Sequence, residues 1–213
     1  MRPAGRFVAW LLLLGCLQSP CAAAPKTVVA IQPLGKVDGA DVERVRAGIT
    51  SLYDVEVAIL PARALPTEAI FKPRSRYRAE KLLDFLLSIP PGAADKTVGL
   101  TQEDISTTKG SHEDWGIFGL GLVGGRVCVV SSFRLHKGPA IPELFGARLV
   151  KVVNHELGHA FGLDHCATPG CLMEDAAGSI QTVDRESGAL CPSCRARLGA
   201  LLKPAAPGAK AGA

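Results

Sequence analysis

Eleven residues constrain this 213-residue chain more than any other stretch: His155-Glu156-Leu157-Gly158-His159-Ala160-Phe161-Gly162-Leu163-Asp164-His165. Two histidines four apart lie one turn apart on one face of a helix, so both imidazoles can reach a single metal ion. Glu156, beside the first of them, is placed to take a proton from a water at that metal. The five-residue core of the pattern also arises by chance, and its context raises its specificity. Gly162 comes three residues after the second histidine, and glycine accepts the left-handed conformation that ends a helix and reverses the chain. The reversal returns His165 as a third ligand. Three neutral imidazoles leave one position of a tetrahedral zinc open, which is the catalytic arrangement. A helix that only displayed surface histidines would not need the whole string.

The next residue opens a second pattern. Cys166 and Cys171 have four residues between them, and Cys191 and Cys194 have two. Both spacings suit thiolate pairs on a second zinc, and four thiolates close its coordination sphere, so this site is structural. Disulfides are the competing reading, because the chain reads as exported; the short loops make better zinc knuckles than bridges. Cys16 and Cys21 lie in or near an apolar N-terminal run. Cys128, in Val127-Cys128-Val129-Val130, reads as a buried, inert thiol.

That N-terminal run follows Arg2 and Arg6 and extends from Phe7 to Leu17. It is shorter than the about 20 residues a membrane-spanning helix needs, and it fits the apolar part of a secretory signal. Ala22-Ala23-Ala24 offers a cleavage site, and Leu13-Leu14-Gly15-Cys16 resembles a lipobox. The expectation is a signal peptide over residues 1–24 and an exported, periplasmic or extracellular, protein. A lipid anchor at Cys16 would be its one membrane contact. Lys plus Arg number 24 and Asp plus Glu 20, a formal charge of +4 that is too small and too scattered to argue for nucleic acid. With 47% apolar and 21% charged residues the chain is neither disordered nor a coiled coil.

From residue 26 the apolar periodicity alternates. Lys26–Ile31 and Asp54–Leu60 read as strands, with a helix from Asp38 or Asp41 to about Leu52 between them. Residues 63–76 read as a loop, Tyr77–Ile89 as a helix and Lys96–Thr101 as a third strand. This order implies right-handed crossovers and a largely parallel sheet. Trp115–Val123 and Arg126–Phe133 read as two strands joined by Gly124-Gly125. Pro142–Leu163 reads as the long helix carrying the histidines, and Pro192–Leu202 as a last helix. The fold class is therefore α/β or α+β. It combines a mostly parallel twisted sheet with an antiparallel edge strand, two backing helices, an active-site helix and a small zinc-stapled C-terminal part. Residues 25–203 form the domain, and 204–213 a flexible tail.

The segment from His155 to Cys194 resembles the archaemetzincins, a branch of the metzincin zinc peptidases. Their motif runs from H-E-x-x-H-x-x-G into a C-x4-C pair, a nearby Met and, after 17 residues, a C-x-x-C. Cys166, Cys171, Met173, Cys191 and Cys194 match each element. Val98–Thr101 and Ile117–Gly121 are similar to the family more loosely. The resemblance implies a metzincin-like fold and a catalytic zinc on His155, His159 and His165, with Glu156 as general base and acid. It implies a second, structural zinc on Cys166, Cys171, Cys191 and Cys194. It makes Met173 the methionine of the Met-turn, an apolar floor under the catalytic zinc. It places Gly119, Leu120, Gly121, Leu122 and Val123 on an edge strand above the cleft, where a peptide or protein substrate could add as a further strand. No tyrosine near Met173 offers itself to an oxyanion, since Tyr53 and Tyr77 lie far upstream.

The reading is thus a monomeric zinc metallopeptidase with two zinc ions per chain. Its rival is a non-proteolytic, zinc-stabilised peptide-binding protein, which would have no need of Glu156. Gly119–Gly124 spells G-x-G-x-x-G but leads into a hairpin, not the helix a dinucleotide site requires. His112 and His136 read as solvated, and Arg74, Arg76 and Arg78 as a solvated basic face.

Overall fold

The computed structural model describes residues 26–202. Nine strands and five helices follow one another along it: β1 (Val28–Pro33), α1 (Gly39–Leu52), β2 (Glu56–Ile59), β3 (Ile70–Phe71), β4 (Arg76–Arg78), α2 (Ala79–Ser88), β5 (Lys96–Thr101), β6 (Ile105–Lys109), β7 (His112–Ile117), β8 (Gly119–Gly121), β9 (Val127–Ser131), α3 (Pro142–Ala160), α4 (Ile180–Arg185) and α5 (Pro192–Leu201). Five strands form the main sheet in the order β2-β1-β5-β9-β8. The first four run parallel, and β8 is antiparallel to β9 at the edge.

All five residues of β9 are buried, as are the last five of β1 and the last four of β5. A parallel sheet covered on both faces requires such continuous burial. Val29, Ile31, Val98, Leu100, Cys128 and Val130 face one core with α1 and α3. Val127 and Val129 face another with Leu82, Leu83 and Leu86 of α2. The two expected backing helices therefore lie on opposite faces, and α3 is the partner of α1. Their packing is close. A side chain at Gly48 would put its Cβ 2.5 Å from Val150, and Asn154 Nδ2 donates to the Gly48 carbonyl at 3.2 Å. Tyr53, at the end of α1, donates its hydroxyl to the Asn154 carbonyl at 2.6 Å. These contacts seat the histidine-bearing helix against α1.

Two local expectations are corrected. Residues 63–76, read as a loop, contain β3 and the start of β4, which join β6 and β7 in a second sheet ordered β3-β4-β6-β7. The strand expected over Trp115–Val123 is divided at Phe118. β7 pairs with β6 in the second sheet, while β8 crosses to pair with β9 in the first. The basic run is not solvated as a whole: Arg76 bridges Asp104 at 2.8 Å and Asp114 at 2.9 Å, and Arg134 bridges Asp104 at 2.6 Å. This network ties the second sheet to the segment after β9. Among the described residues no helix is long and apolar enough to cross a membrane.

Candidate metal centre

The last two turns of α3 carry His155, Glu156 and His159. The helix ends in a Schellman arrangement. Gly162, at φ +102°, donates to the His159 carbonyl at 2.8 Å, and Leu163 donates to the Gly158 carbonyl at 3.0 Å. A side chain at Gly162 would be strained in that conformation. The reversal brings His165 back against the helix, with its ring 4.8 Å from that of His159 and 5.4 Å from that of His155, centroid to centroid. The metal-binding atoms of the three histidines lie within 4.8 Å of one another.

Hydrogen bonds decide which ring nitrogens face inward. His155 Nδ1 meets the Leu172 carbonyl at 2.7 Å, and His159 Nδ1 meets the Leu163 carbonyl at 2.7 Å. A carbonyl only accepts, so both Nδ1 atoms carry the proton and both Nε2 atoms present lone pairs. These two Nε2 atoms approach to 3.1 Å. Facing lone pairs repel unless a cation lies between them. Two nitrogens on a tetrahedral zinc with bonds near 2.05 Å are about 3.3 Å apart, so the donor set fits zinc. Burial lowers the His155 pKa to about 4 and also lowers that of His159. Both rings are therefore neutral at neutral pH, as ligation requires. His165 is more exposed, and Asp175 lies 3.9 Å from its Nδ1.

Glu156 lies against β8 and lines the same cleft as the three histidines. Its carboxyl is buried and held at about 8, because burial disfavours the charged form while the backbone N–H of Gly121 partly offsets this. The glycines of β8 make the approach possible. A Cβ on Gly119 would lie 2.6 Å from Glu156 Cγ, and one on Gly121 would lie 2.7 Å from the Glu156 backbone oxygen. The edge strand expected over Gly119–Val123 is shorter than that. It stops at Gly121, and Leu122 and Val123 are exposed in a turn closed by Gly125 N–H to the Leu122 carbonyl, 2.8 Å. Gly124, at φ +74°, takes the turn position that favours glycine. Its N–H also donates to the His159 carbonyl at 2.8 Å, which pins the turn to the end of α3.

Met173 is fully buried against α3, where a Cβ on Gly158 would lie 2.6 Å from its sulfur. Its carbonyl accepts the Cys166 N–H at 2.7 Å. That bond joins the histidine centre to the second cluster, where Cys166, Cys171, Cys191 and Cys194 also bring their donor atoms within 4.8 Å of one another. All four are free thiols, and Cys166 and Cys191 sulfurs are 3.8 Å apart. A disulfide would be about 2.05 Å, whereas two sulfurs on a tetrahedral zinc with bonds near 2.3 Å are about 3.8 Å apart. The Thr168 N–H points to the Cys166 sulfur and the Cys191 N–H to the Cys171 sulfur, each at 3.4 Å. The Cys191 thiol is drawn down to about 6, chiefly by the backbone N–H of Cys194. Such donors favour thiolate at Cys191, whereas burial pushes the Cys171 and Cys194 thiols up. Cys128 lies apart in β9, fully buried, with its thiol pushed well up by burial and then by Glu156.

The histidines open into a cleft of about 380 Å³. Gly119–Gly121, Asp175–Gly178, Val183 and Glu186 line it. Trp115 and Lys109 of the second sheet stand at the rim, with the ammonium 5.4 Å from the ring centre. Neither Tyr53 nor Tyr77 lines it. Trp115, Val152, Asp175 and Glu186 also line the cleft without being signalled by the motif: Asp175 and Glu186 fall at its unmatched positions, Val152 lies three residues before it, and Trp115 comes from the second sheet.

The family model of "Peptidase family M54" matches residues 39–200. This chain belongs to the archaemetzincins. It is 33% identical over 174 residues to the archaemetzincin of Halobacterium salinarum, covering 78% of this chain and 96% of that protein. It is 40% identical over 145 residues to that of Methanopyrus kandleri, covering 68% and 78%. The crystal structure of the Methanopyrus kandleri archaemetzincin superposes with a TM-score of 0.73 at 34% identity, covering 84% of this chain and 97% of that one. The archaemetzincin from Archaeoglobus fulgidus, crystallised with malonate, gives 0.69 at 33%, covering 80% and 99%. This chain is therefore a zinc metallopeptidase, and peptides or proteins are its substrates. The same comparison corrects one expectation. The alignment takes up 96% of the Halobacterium salinarum archaemetzincin but 78% of this chain, and none of these relatives indicates a signal or secretion. The reading of residues 1–24 as a signal, the secreted assignment and the lipid anchor at Cys16 are without support, and these residues lie outside the described ones.

Proposed function

We propose that peptide bonds are hydrolysed in this cleft, with His155, His159 and His165 holding a catalytic zinc and Glu156 serving as general base and acid. Cys166, Cys171, Cys191 and Cys194 hold a second, structural zinc, and Met173 is the apolar floor that seats the first. The observation that carries the reading is the pair of Nε2 atoms facing each other at 3.1 Å with both Nδ1 atoms committed to carbonyls, beside a buried carboxylate. When bound, zinc supplies Lewis acidity to a scissile carbonyl and to a water.

This chain's own residues do the rest. A cation held by the three histidines would favour the charged form of Glu156 against its burial, and that carboxylate would accept the proton of the attacking water and later return it to the departing amine. The Gly121 N–H steadies that carboxylate. β8 is the outer strand of the sheet, so its free edge is available to a substrate strand, and Gly119 and Gly121 hold it close to Glu156.

Glu156→Gln tests the reading. Wild type and variant, purified under reducing conditions, should each contain two zinc ions by elemental analysis. Cleavage of a peptide library should fall by about 10²–10⁴ in the variant. Turnover unchanged in the variant would refute the role of Glu156. One zinc per chain with the four cysteines oxidised would refute the second site. Peptide binding without cleavage by the wild type would establish the non-proteolytic rival.

A further inference from the structure

Beyond the histidines, one acidic side chain in the cleft has no task in the hydrolysis. Glu186 follows α4 and is 5% exposed, yet it lines the cleft. Among the described residues its carboxylate has neither an ion pair nor a hydrogen bond. Desolvating a carboxylate without a partner is costly, and such groups are kept where they meet a ligand. Two groups face it. Lys151 of α3 directs its ammonium to the Val183 and Asp184 carbonyls at 2.9 and 3.3 Å and stays beyond ion-pair distance. Glu174 adds negative charge. With burial as the main cause, these leave the Glu186 carboxyl at about 8. Val152 of α3 and Val183 of α4, both almost wholly buried, line the same cleft and give it an apolar collar. Val152 lies three residues before His155, hence about one helical turn from the metal centre.

An apolar collar closed by an unpaired carboxylate complements an aliphatic stem that ends in a cation. We propose that Glu186 is a specificity-determining residue, receiving a lysine or arginine side chain of the substrate beside the scissile bond. The incoming cation supplies the counter-charge the pocket lacks and takes the place of the proton. This inference rests on the proteolytic reading, and the experiment separates the two.

Peptides identical except at one residue next to the cleaved bond would carry Lys, Arg, norleucine or Glu there, assayed at pH 8.5. Norleucine keeps the stem and lacks the charge. For wild type, kcat/KM for Lys should exceed that for norleucine roughly tenfold, as one charged contact implies. In Glu186→Gln the ratio should fall to about one with the thermal midpoint retained. Glu186→Asp, which keeps the charge, should retain the cation preference and shift it toward the longer Arg. The Kd values of the same peptides for Glu156→Gln protein should follow the same order. Norleucine cleaved as well as Lys by wild type overturns the proposal and leaves the proteolytic reading intact. A Lys preference that survives in folded Glu186→Gln, or vanishes in folded Glu186→Asp, also overturns it. If no peptide is cleaved but Lys is still bound preferentially through Glu186, the proteolytic reading fails and the cation pocket stands.

Discussion

Gly121→Ala adds one methyl group where β8 meets the catalytic helix. The new Cβ would lie 2.7 Å from the Glu156 backbone oxygen, 3.2 Å from its Oε2 and 3.3 Å from Cys128 Cβ. The nearest of these belongs to a helical backbone pinned by its own hydrogen bonds, so it cannot give way as a flexible side chain would. Ordinary contact begins at 3.4 Å, so β8 must retreat by about 0.7 Å. Overpacking of this kind costs about 1–3 kcal/mol, against about 0.4–1 kcal/mol regained because alanine restricts the unfolded chain. The net loss is about 1–2 kcal/mol, or about 2–8 °C of thermal midpoint for a chain of this size. The retreat also carries the Gly121 N–H away from Glu156 and the edge away from the substrate. Since a misplacement of about 1 Å can cost 10²-fold, kcat/KM should fall at least about tenfold with zinc content unchanged. Gly39→Ala is the control: no atom lies within 4 Å of its added Cβ. It should leave activity unchanged and raise stability by the about 0.4–1 kcal/mol that alanine takes from the unfolded chain. A Gly121→Ala protein as stable and as active as wild type would refute the claim that these glycines set the distance between the edge strand and Glu156.

Three further outcomes are expected. Cys166→Ser should lower the zinc content, destabilise the chain by more than about 2 kcal/mol and reduce activity, because it removes one thiolate of the cluster that staples the segment between His165 and Met173; full stability and activity would show that the cysteine cluster does not support the site. Asp184→Ala should cost about 3 kcal/mol in denaturant unfolding, because it strands Arg148, a buried guanidinium whose Nε and Nη2 meet that carboxylate at 2.7 and 2.8 Å. Arg148 holds the Asp184 carboxyl below its ordinary 3.8, so this stabilisation is complete above that value and is lost as pH falls through the lowered one; the stability gap between wild type and D184N should close in acid, and a constant gap would contradict the pairing. His159→Ala should lose the histidine-bound zinc and the activity together while the cysteine-bound zinc stays, and retention of both zinc ions would show that His159 is not a ligand.

Much of this molecule is written in neighbouring residues. β5 occupies Lys96–Thr101, as its apolar run indicates, and α1 begins where Asp38 accepts the Ala40 N–H at 2.8 Å. The order of strands and helices leads to the parallel sheet with its antiparallel edge. The spacing of His155, His159, Gly162 and His165 leads to three converging rings, because helical pitch and a left-handed glycine are local geometry. Other features depend on partners that no window of sequence contains. Ile70–Phe71 is a strand only because β4 lies beside it, and the run from Trp115 divides at Phe118 because two different sheets claim its halves. Gly119 and Gly121 resemble a nucleotide-loop pattern until Glu156 is found against them. Tyr53, 101 residues before Asn154, supports the catalytic helix from below instead of facing the cleft. Glu186 is one acid in a polar stretch until α3 and α4 enclose it beside the metal centre. Periodicity, caps and ligand spacing act between residues a turn or two apart and can be read along the chain. Burial, close approach and the meaning of a lone charge come from segments that meet only when the chain has folded.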